Sequence, residues 1–300
     1  MFYRLKFGML KRRKIDEVMA AVGFDVWGVV PAVELSDAKR RFEQWLAGGN
    51  AYRLDYLERN IHKRFDPQAL HPGTRSVIVG AVGYKNHLSE GYEAGFDCRV
   101  ASYALSRDYH DSLREMLRQA AQMLGFTEPK SVKVCVDSAP LAEKSLARLA
   151  GIGWIGRNSL IINPRLGSFM VLGELLVPEE CDEYSEPYGE SGCVGCGRCL
   201  LRCPTGAINP QGGINTTLCI SNRTVERASE EPFDTRGWLF GCDECQSCCP
   251  HNASAPHYRN PRFEPTFSPL DYDSEFWANL TPEEAESRFG TTPLMRRFKK

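Results

Sequence analysis

An α+β fold follows from three observations on this 300-residue chain. Residues 76–82 read Ser-Val-Ile-Val-Gly-Ala-Val, a buried-strand pattern. Helical stripes such as Leu113, Met116, Leu117, Ala120 and Leu124 are interleaved with such strands without a regular βα repeat. Ten of the twelve cysteines fall between Cys181 and Cys249, so a cofactor module follows the mixed domain. The expected division is an α/β domain over 1–180, a cysteine-rich module over 181–255, and a C-terminal wrap with a short helix over 256–300.

Taken in order, residues 10–22 place Ile15, Val18, Met19 and Val22 at helical spacing. Residues 25–31 read as a short buried strand. A helix over 36–46 is stopped by Gly48-Gly49, and 52–60 reads as helical. The strand at 76–82 follows a Pro-Gly loop, and 99–105 alternates weakly enough to suggest another strand. A long helix then runs to Gly125. A strand over 132–136 leads through Asp137-Ser138-Ala139 to Pro140, which suits the first turn of a helix reaching Leu149. Strands at 160–162 and 169–176 complete the domain. After Pro250 the chain is rich in proline and aromatics, and Thr281-Pro-Glu-Glu is a good helix start.

The cysteines carry the chemistry. Cys193-x2-Cys196-x2-Cys199-x3-Cys203-Pro is the ligand run of ferredoxins with two 4Fe–4S clusters. Cys242-x2-Cys245-x2-Cys248-Cys249-Pro is a shorter relative. In such runs the cysteine before proline ligates the other cluster. That rule assigns Cys193, Cys196, Cys199 and Cys249 to one cluster and Cys203, Cys242 and Cys245 to the second. Cys219 and Cys248 both remain open as its fourth ligand. A zinc ribbon has no use for the extra cysteines or the two Cys-Pro endings. A disulfide framework belongs to small secreted domains.

A net charge of −1 excludes a global basic field, though not a local basic patch. Neither a signal peptide nor a run of eighteen apolar residues is visible, so a reducing cytoplasm and no membrane are expected. A two-cluster module needs little more than its own runs. The 180 residues ahead of it therefore read as housing for a second cofactor and a substrate.

Gly151-x-Gly153-x-x-Gly156 has dinucleotide-loop spacing, but it follows a helix and precedes a strand, the reverse of the Rossmann order. The small residues there are expected to let the backbone approach something flat and bulky. Asp137, at a strand end, reads either as a functional acid or as a helix N-cap. Asp108 and His110 read as a cap with a surface histidine. Cys98, Cys135 and Cys181 read as small packing residues.

These motifs together resemble the epoxyqueuosine reductase family. The resemblance rests on Gly23-Phe-Asp-x-x-Gly28, His71-Pro-Gly-x-Arg75-Ser-Val, Arg107-Asp-Tyr-His110, Val136-Asp137-Ser138, Gly151-x-Gly-Trp-x-Gly-x-Asn158, Leu172-Gly-Glu174, Cys219-Ile-Ser221 and Phe240-Gly-Cys-Asp-x-Cys-Gln246, besides the first cysteine run. It implies a cobalamin cofactor between the first domain and the cluster module. It implies Asp137 as proton donor and Cys219 as the missing ligand, with Asn158, Ser221 and Asp243 against the corrin. The implied reaction removes the epoxide oxygen of epoxyqueuosine at the tRNA wobble position, using two electrons from an external donor such as ferredoxin or flavodoxin. An acid in that role calls for a pKa raised by desolvation. Basic residues for RNA contact stand at Lys11–Lys14, Arg198, Arg202, Arg223, Arg227 and Arg296–Lys300. Two other readings are a cobalamin-dependent reductive dehalogenase-like enzyme and an electron-carrier subunit that binds no corrin.

Overall fold

A computed structural model describes residues 8–128, 130–226 and 232–298. Arg227, Lys299 and Lys300, named above as candidate RNA contacts, lie outside them.

The chain first forms helix α1 (Arg12–Val22), strand β1 (Val26–Pro31) and helix α2 (Ser36–Ala47). Short helices α3 (Ile61–Arg64) and α4 (Pro67–Leu70) lead to strand β2 (Ser76–Gly83). Then come β3 (Arg99–Val100), α5 (Tyr109–Leu124), β4 (Lys133–Cys135) and α6 (Glu143–Leu149). Strands β5 (Trp154–Ile155), β6 (Ile161–Ile162) and β7 (Met170–Val177) end the first half. A four-stranded sheet in the order β1-β2-β7-β4, antiparallel throughout, forms the middle layer.

Every residue of β2 is buried, because both faces of the sheet are covered. Ile78 and Val82 point to α1 and α5, meeting Ile15, Met19, Leu113 and Leu117. Val77, Val79 and Ala81 point the other way, to Leu146, Ala147 and Ile152. Period-2 alternation thus feeds two cores, each dry enough that a Leu→Ala change in it costs about 2–5 kcal/mol. Helix α5 begins where the Asp108 carboxylate accepts the His110 N–H at 2.9 Å. It ends at Gly125, whose φ of 99° is open to glycine at little cost.

Three sequence expectations change. Residues 52–60 make a single 3-10 turn at Asp55–Leu57, with α3 after it. The strand expected over 99–105 stops at Val100, and a 3-10 turn follows, because Val100, Ala104 and Leu105 all turn into one core with Phe240 and Phe289. The helix after Pro140 starts only at Glu143. The intervening residues form a tight turn around Asp137, whose φ is 45°.

The second half contributes α7 (Arg198–Arg202), α8 (Ile220–Val225), β8 (Trp238–Phe240), α9 (Glu244–Ser247) and α10 (Pro250–Ala253). Strand β8 pairs in parallel with β3, which ties this half to the first. Trp45 of α2 also reaches across, its Nε1–H donating to the Ile214 carbonyl at 2.8 Å. The C-terminal segment carries α11 (Ser274–Asn279) and α12 (Pro282–Phe289). With Phe267, Tyr272, Phe276 and Trp277 it packs a third core on Leu88, Val100 and Phe240. Among the described residues no helix is long and apolar enough to cross a membrane.

Candidate active site and cluster module

The cysteine runs fold into short helices because each Cys-Pro step breaks the chain. Cys249 is the extended N-cap of α10, with Pro250 at its first position, and Cys203 is the extended residue ending α7. These breaks send the pre-proline sulfurs away from their own runs. The Cys249 thiol feels the charges of Cys193, Cys196 and Cys199. The Cys245 thiol feels those of Cys242, Cys219 and Cys203. Cys248 belongs with neither set of four by position: it leans toward Cys199 and Cys249. Cys219 joins the second group from the N-cap of α8.

Burial pushes the Cys219, Cys242 and Cys245 thiols up. Desolvated sulfurs grouped in this way ionise only if a cation is held among them. An iron–sulfur cube supplies that charge, so the donor set fits one. Among the described residues no three ligating side chains converge on a single-ion position. N–H groups already aim at the sulfurs. Trp154 Nε1–H donates to Cys193 Sγ at 3.4 Å, and the Ala207 N–H to Cys203 Sγ at 3.3 Å. Backbone N–H groups of Asn222 and Ser221 reach Cys219. Such bonds raise cluster potentials by favouring the reduced, more negative state.

Asp137 lies at the end of β4, beside the start of α5. Tyr109 Oη–H donates to its Oδ2 at 2.9 Å, and His110 Nε2 lies 3.2 Å from the same oxygen. The other ring nitrogen of His110 is 2.7 Å from Asp108 Oδ1. Burial works against charge on the ring, and the bonds to Asp108 and Asp137 overcome it, so the His110 pKa is raised above 6.5. The opposing influence is Arg296, whose Nη2 lies 2.9 Å from both ring nitrogens. Hydrogen bonding to His110 in turn holds the Asp137 carboxyl below the usual carboxylate range, against its desolvation. The raised pKa expected for Asp137 is therefore not found. The proton of the pair resides on the imidazole.

Asp137 is hemmed in by Tyr109, His110 and the field of Arg296, yet 54% of its side chain stays accessible. Tyr56, on the 3-10 turn, feels Glu226 and Asp137; desolvation and their charges raise its pKa to about 12. Glu226 follows α8 and feels the charge of Asp137, so this helix leads from Cys219 toward the acid. Its six residues span about 9 Å. Asn222 Oδ1 and Arg223 Nη1 on α8 are buried without a hydrogen-bond partner among the described residues. Unpaired polar atoms of this kind suit a ring fringed with carboxamides.

The other expected cofactor contacts sit at the seam between the two halves. Asn158 is buried, with Nδ2 donating to the Cys245 carbonyl at 3.4 Å. Asp243 is buried, and its Oδ2 accepts the Ser102 N–H at 2.7 Å. Burial raises its pKa to about 6. Ser221 stands in the first turn of α8. The glycine loop does not meet an external ring at Gly153: a Cβ there would strike the Ile162 carbonyl, so what approaches is the chain's own β6. Asp137 is no helix cap, because α6 starts six residues later. His110 is buried rather than at the surface. Tyr109 and Glu143 are site residues that the sequence does not single out, and Arg296, expected as an RNA contact, also stands against His110. The quoted run Arg107-Asp-Tyr-His110 was the available signal for the first.

Comparison with known proteins follows this geometry. Residues 64–138 match the family described as Epoxyqueuosine reductase QueG, DUF1730, and residues 192–252 match a 4Fe-4S double cluster binding domain. An epoxyqueuosine reductase of Cyclobacterium marinum is 33% identical over 293 residues, covering 94% of this chain and 91% of its own. One from Gloeobacter violaceus is 34% identical over 276 residues, covering 90% and 85%. A crystal structure of an epoxyqueuosine reductase with an epoxyqueuosine-modified tRNA-Tyr stem loop superposes with a TM-score of 0.77 at 26% identity, over 95% of this chain and 79% of that one. A Bacillus subtilis structure, described with an aspartate catalytic loop swung out of the active site, superposes equally, with a TM-score of 0.77 at 26% identity and the same coverage.

Proposed function

The chain belongs to the epoxyqueuosine reductase family of oxidoreductases, and from that footing we propose that it converts epoxyqueuosine in tRNA to queuosine with Asp137 as the proton-delivering group. The overall change is epoxide plus two electrons and two protons to alkene plus water. Cobalamin, when bound, would supply a low-potential cobalt centre for the two electrons. Cys193, Cys196, Cys199 and Cys249 would hold one cluster, and Cys203, Cys219, Cys242 and Cys245 the other. Asn158, Ser221 and Asp243 complete the corrin's surroundings in this reading.

The observation that carries it is the accessible Asp137 carboxylate, bonded to the buried His110 and within the electrostatic reach of Glu226 at the end of α8. Oxygen anion released from an epoxide needs a proton at once. The His110 Nε2 proton moves to Asp137 Oδ2 and on to that oxygen, solvent supplies the second proton of the reaction, and the Tyr109 hydroxyl keeps the carboxylate in place. Desolvation by substrate and cofactor weakens the ionic His110–Asp137 state against its neutral form, which favours the transfer at the right moment.

Electrons enter at the first cysteine run. Val194 and Leu201 are 85% and 90% exposed, and Leu201 lies with Arg198 and Arg202 at an open depression of about 460 Å³ beside Cys249. An apolar centre with a basic rim suits a small acidic one-electron carrier such as a ferredoxin or flavodoxin. The deciding experiment uses anaerobically reconstituted protein with cobalamin and tRNA containing epoxyqueuosine, with nucleosides read by mass spectrometry. Queuosine from wild type, and its loss in Asp137→Asn with iron and corrin retained, is the expected result. Bound corrin without conversion would point to another substrate, such as a halogenated organic compound. Intact clusters without corrin binding would leave an electron carrier.

A further inference from the structure

Beside Asp137 a wholly buried carboxyl group meets a half-buried one. Glu174 sits on β7 in the middle of the sheet and is wholly inaccessible to solvent. Neither of its oxygens is bonded by a nitrogen or hydroxyl donor among the described residues. Its hydrogen-bonding neighbour is the carboxyl of Glu143. Glu143 opens α6, and its Oε1 accepts the backbone N–H of Asp137 at 2.5 Å. The nearest cation, Lys144, does not neutralise the pair by contact; its Nζ donates to the Ser159 carbonyl at 2.8 Å.

Two carboxylates cannot hydrogen bond to each other without a proton between them, and burial without a bonded cation makes double ionisation costly. We propose that Glu143 and Glu174 are a proton-sharing carboxyl pair that holds the Asp137 turn in its working shape, making both of them positioning residues for the reaction. The turn needs such a hold. Asp137 has a φ of 45°, a region costly for a non-glycine residue unless its surroundings impose it. Glu143 imposes it by taking the Asp137 N–H, and the shared proton is what lets Glu143 stay against Glu174 while doing so. Were both acids charged, repulsion would drive Glu143 off and free the turn.

The acids' electrostatic surroundings agree. Desolvation and then the charge on Asp137 raise the Glu143 pKa to about 7. Desolvation and Glu143 raise that of Glu174 further. The other groups facing the pair are Asp137 and Cys135 on β4 and its turn, Lys144 on α6, and Arg64 on α3.

The role in catalysis rests on the function proposed above, whereas the shared proton does not, so the test separates them. Infrared spectra of the holoprotein at neutral pH should show a protonated-carboxyl C=O band that shifts in D2O. Glu174→Gln should lack it, since its amide donates to Glu143 without needing the proton. Absence of the band in wild type, or its persistence in Glu174→Gln, overturns the pair whatever the activity. With epoxyqueuosine tRNA, Glu143→Ala should lower kcat by about 10- to 100-fold at unchanged KM. Glu143→Gln, which keeps an acceptor for the Asp137 N–H, should recover most of that loss. Wild-type kcat in Glu143→Ala overturns the positioning role, as does a Glu143→Gln protein that folds and loads cofactors but stays as slow as Glu143→Ala. A protein that shows the band but converts no epoxyqueuosine keeps the pair and sinks the substrate assignment.

Discussion

Asp137 is an acid by type but a carboxylate by surroundings. Two donors, Tyr109 and His110, end on one oxygen, and the pair's proton therefore waits on the imidazole. Asp137→Asn keeps the shape and loses proton delivery, so kcat should fall by about 10²- to 10⁴-fold in a single-turnover assay with corrin and iron contents unchanged. His110 gives the pH dependence. Its folded-state pKa lies above 6.5, so the proton is present at lower pH and lost as pH rises through the raised value. Wild-type activity should fall on the alkaline side for this reason, and His110→Gln should remove that limb from the kcat profile while lowering the plateau. Stability runs in the same sense: the ring's bonds to Asp108 and Asp137 stabilise the fold fully below pH 6.5 and cease to do so above the raised pKa. A stability–pH curve for the same variant, flattened on its alkaline side, checks that sign.

Short helices decide which sulfur goes where. The fourth ligand of the second cluster could not be chosen from spacing, since Cys248 and Cys219 both qualified. In the fold α9 turns Cys248 toward Cys199 and Cys249, while the N-cap of α8 delivers Cys219 to Cys203, Cys242 and Cys245. Cys219→Ser should therefore cost about one cube's worth of iron, and Cys248→Ser should keep the full complement. Iron and sulfide analysis of the anaerobically purified variants reads this out. If Cys248→Ser is the one that loses iron, the assignment is reversed. Helix α8 also brings Glu226 within the electrostatic reach of Asp137, so one short element links the cysteine module to the acid.

Across the whole molecule, the two halves are stitched by the β3–β8 ladder, by Trp45 on the Ile214 carbonyl, and by Asp243 on the Ser102 N–H. Replacing Arg198 with Glu and Leu201 with Asp should slow turnover driven by a ferredoxin or flavodoxin by about tenfold or more, because charge complementarity governs encounter. Turnover driven by a small chemical reductant should not change. Equal loss with both reductants would place the damage in the clusters instead of the docking face.

Local signals were enough for much of this. Burial patterns placed β1, β2, β4 and β7 within a residue or so, since a strand covered on both faces must be apolar throughout. Helices α1 and α5 were legible because one stripe meets one core. The cysteine runs named the cluster chemistry, because thiolate spacing and a following proline are local constraints. What the chain alone could not decide was long-range. Residues 99–105 turn away from a strand because a third core, built with a C-terminal segment nearly 200 residues later, claims Val100 and Leu105. His110 becomes buried and charged only where Asp137, 27 positions on, and Arg296, 186 positions on, are brought to it. Glu174, the one charged residue of β7, becomes half of an acid pair only when α6 lays Glu143 beside it. Charge and pKa depend on what surrounds a group in space, and that surrounding is made by the fold.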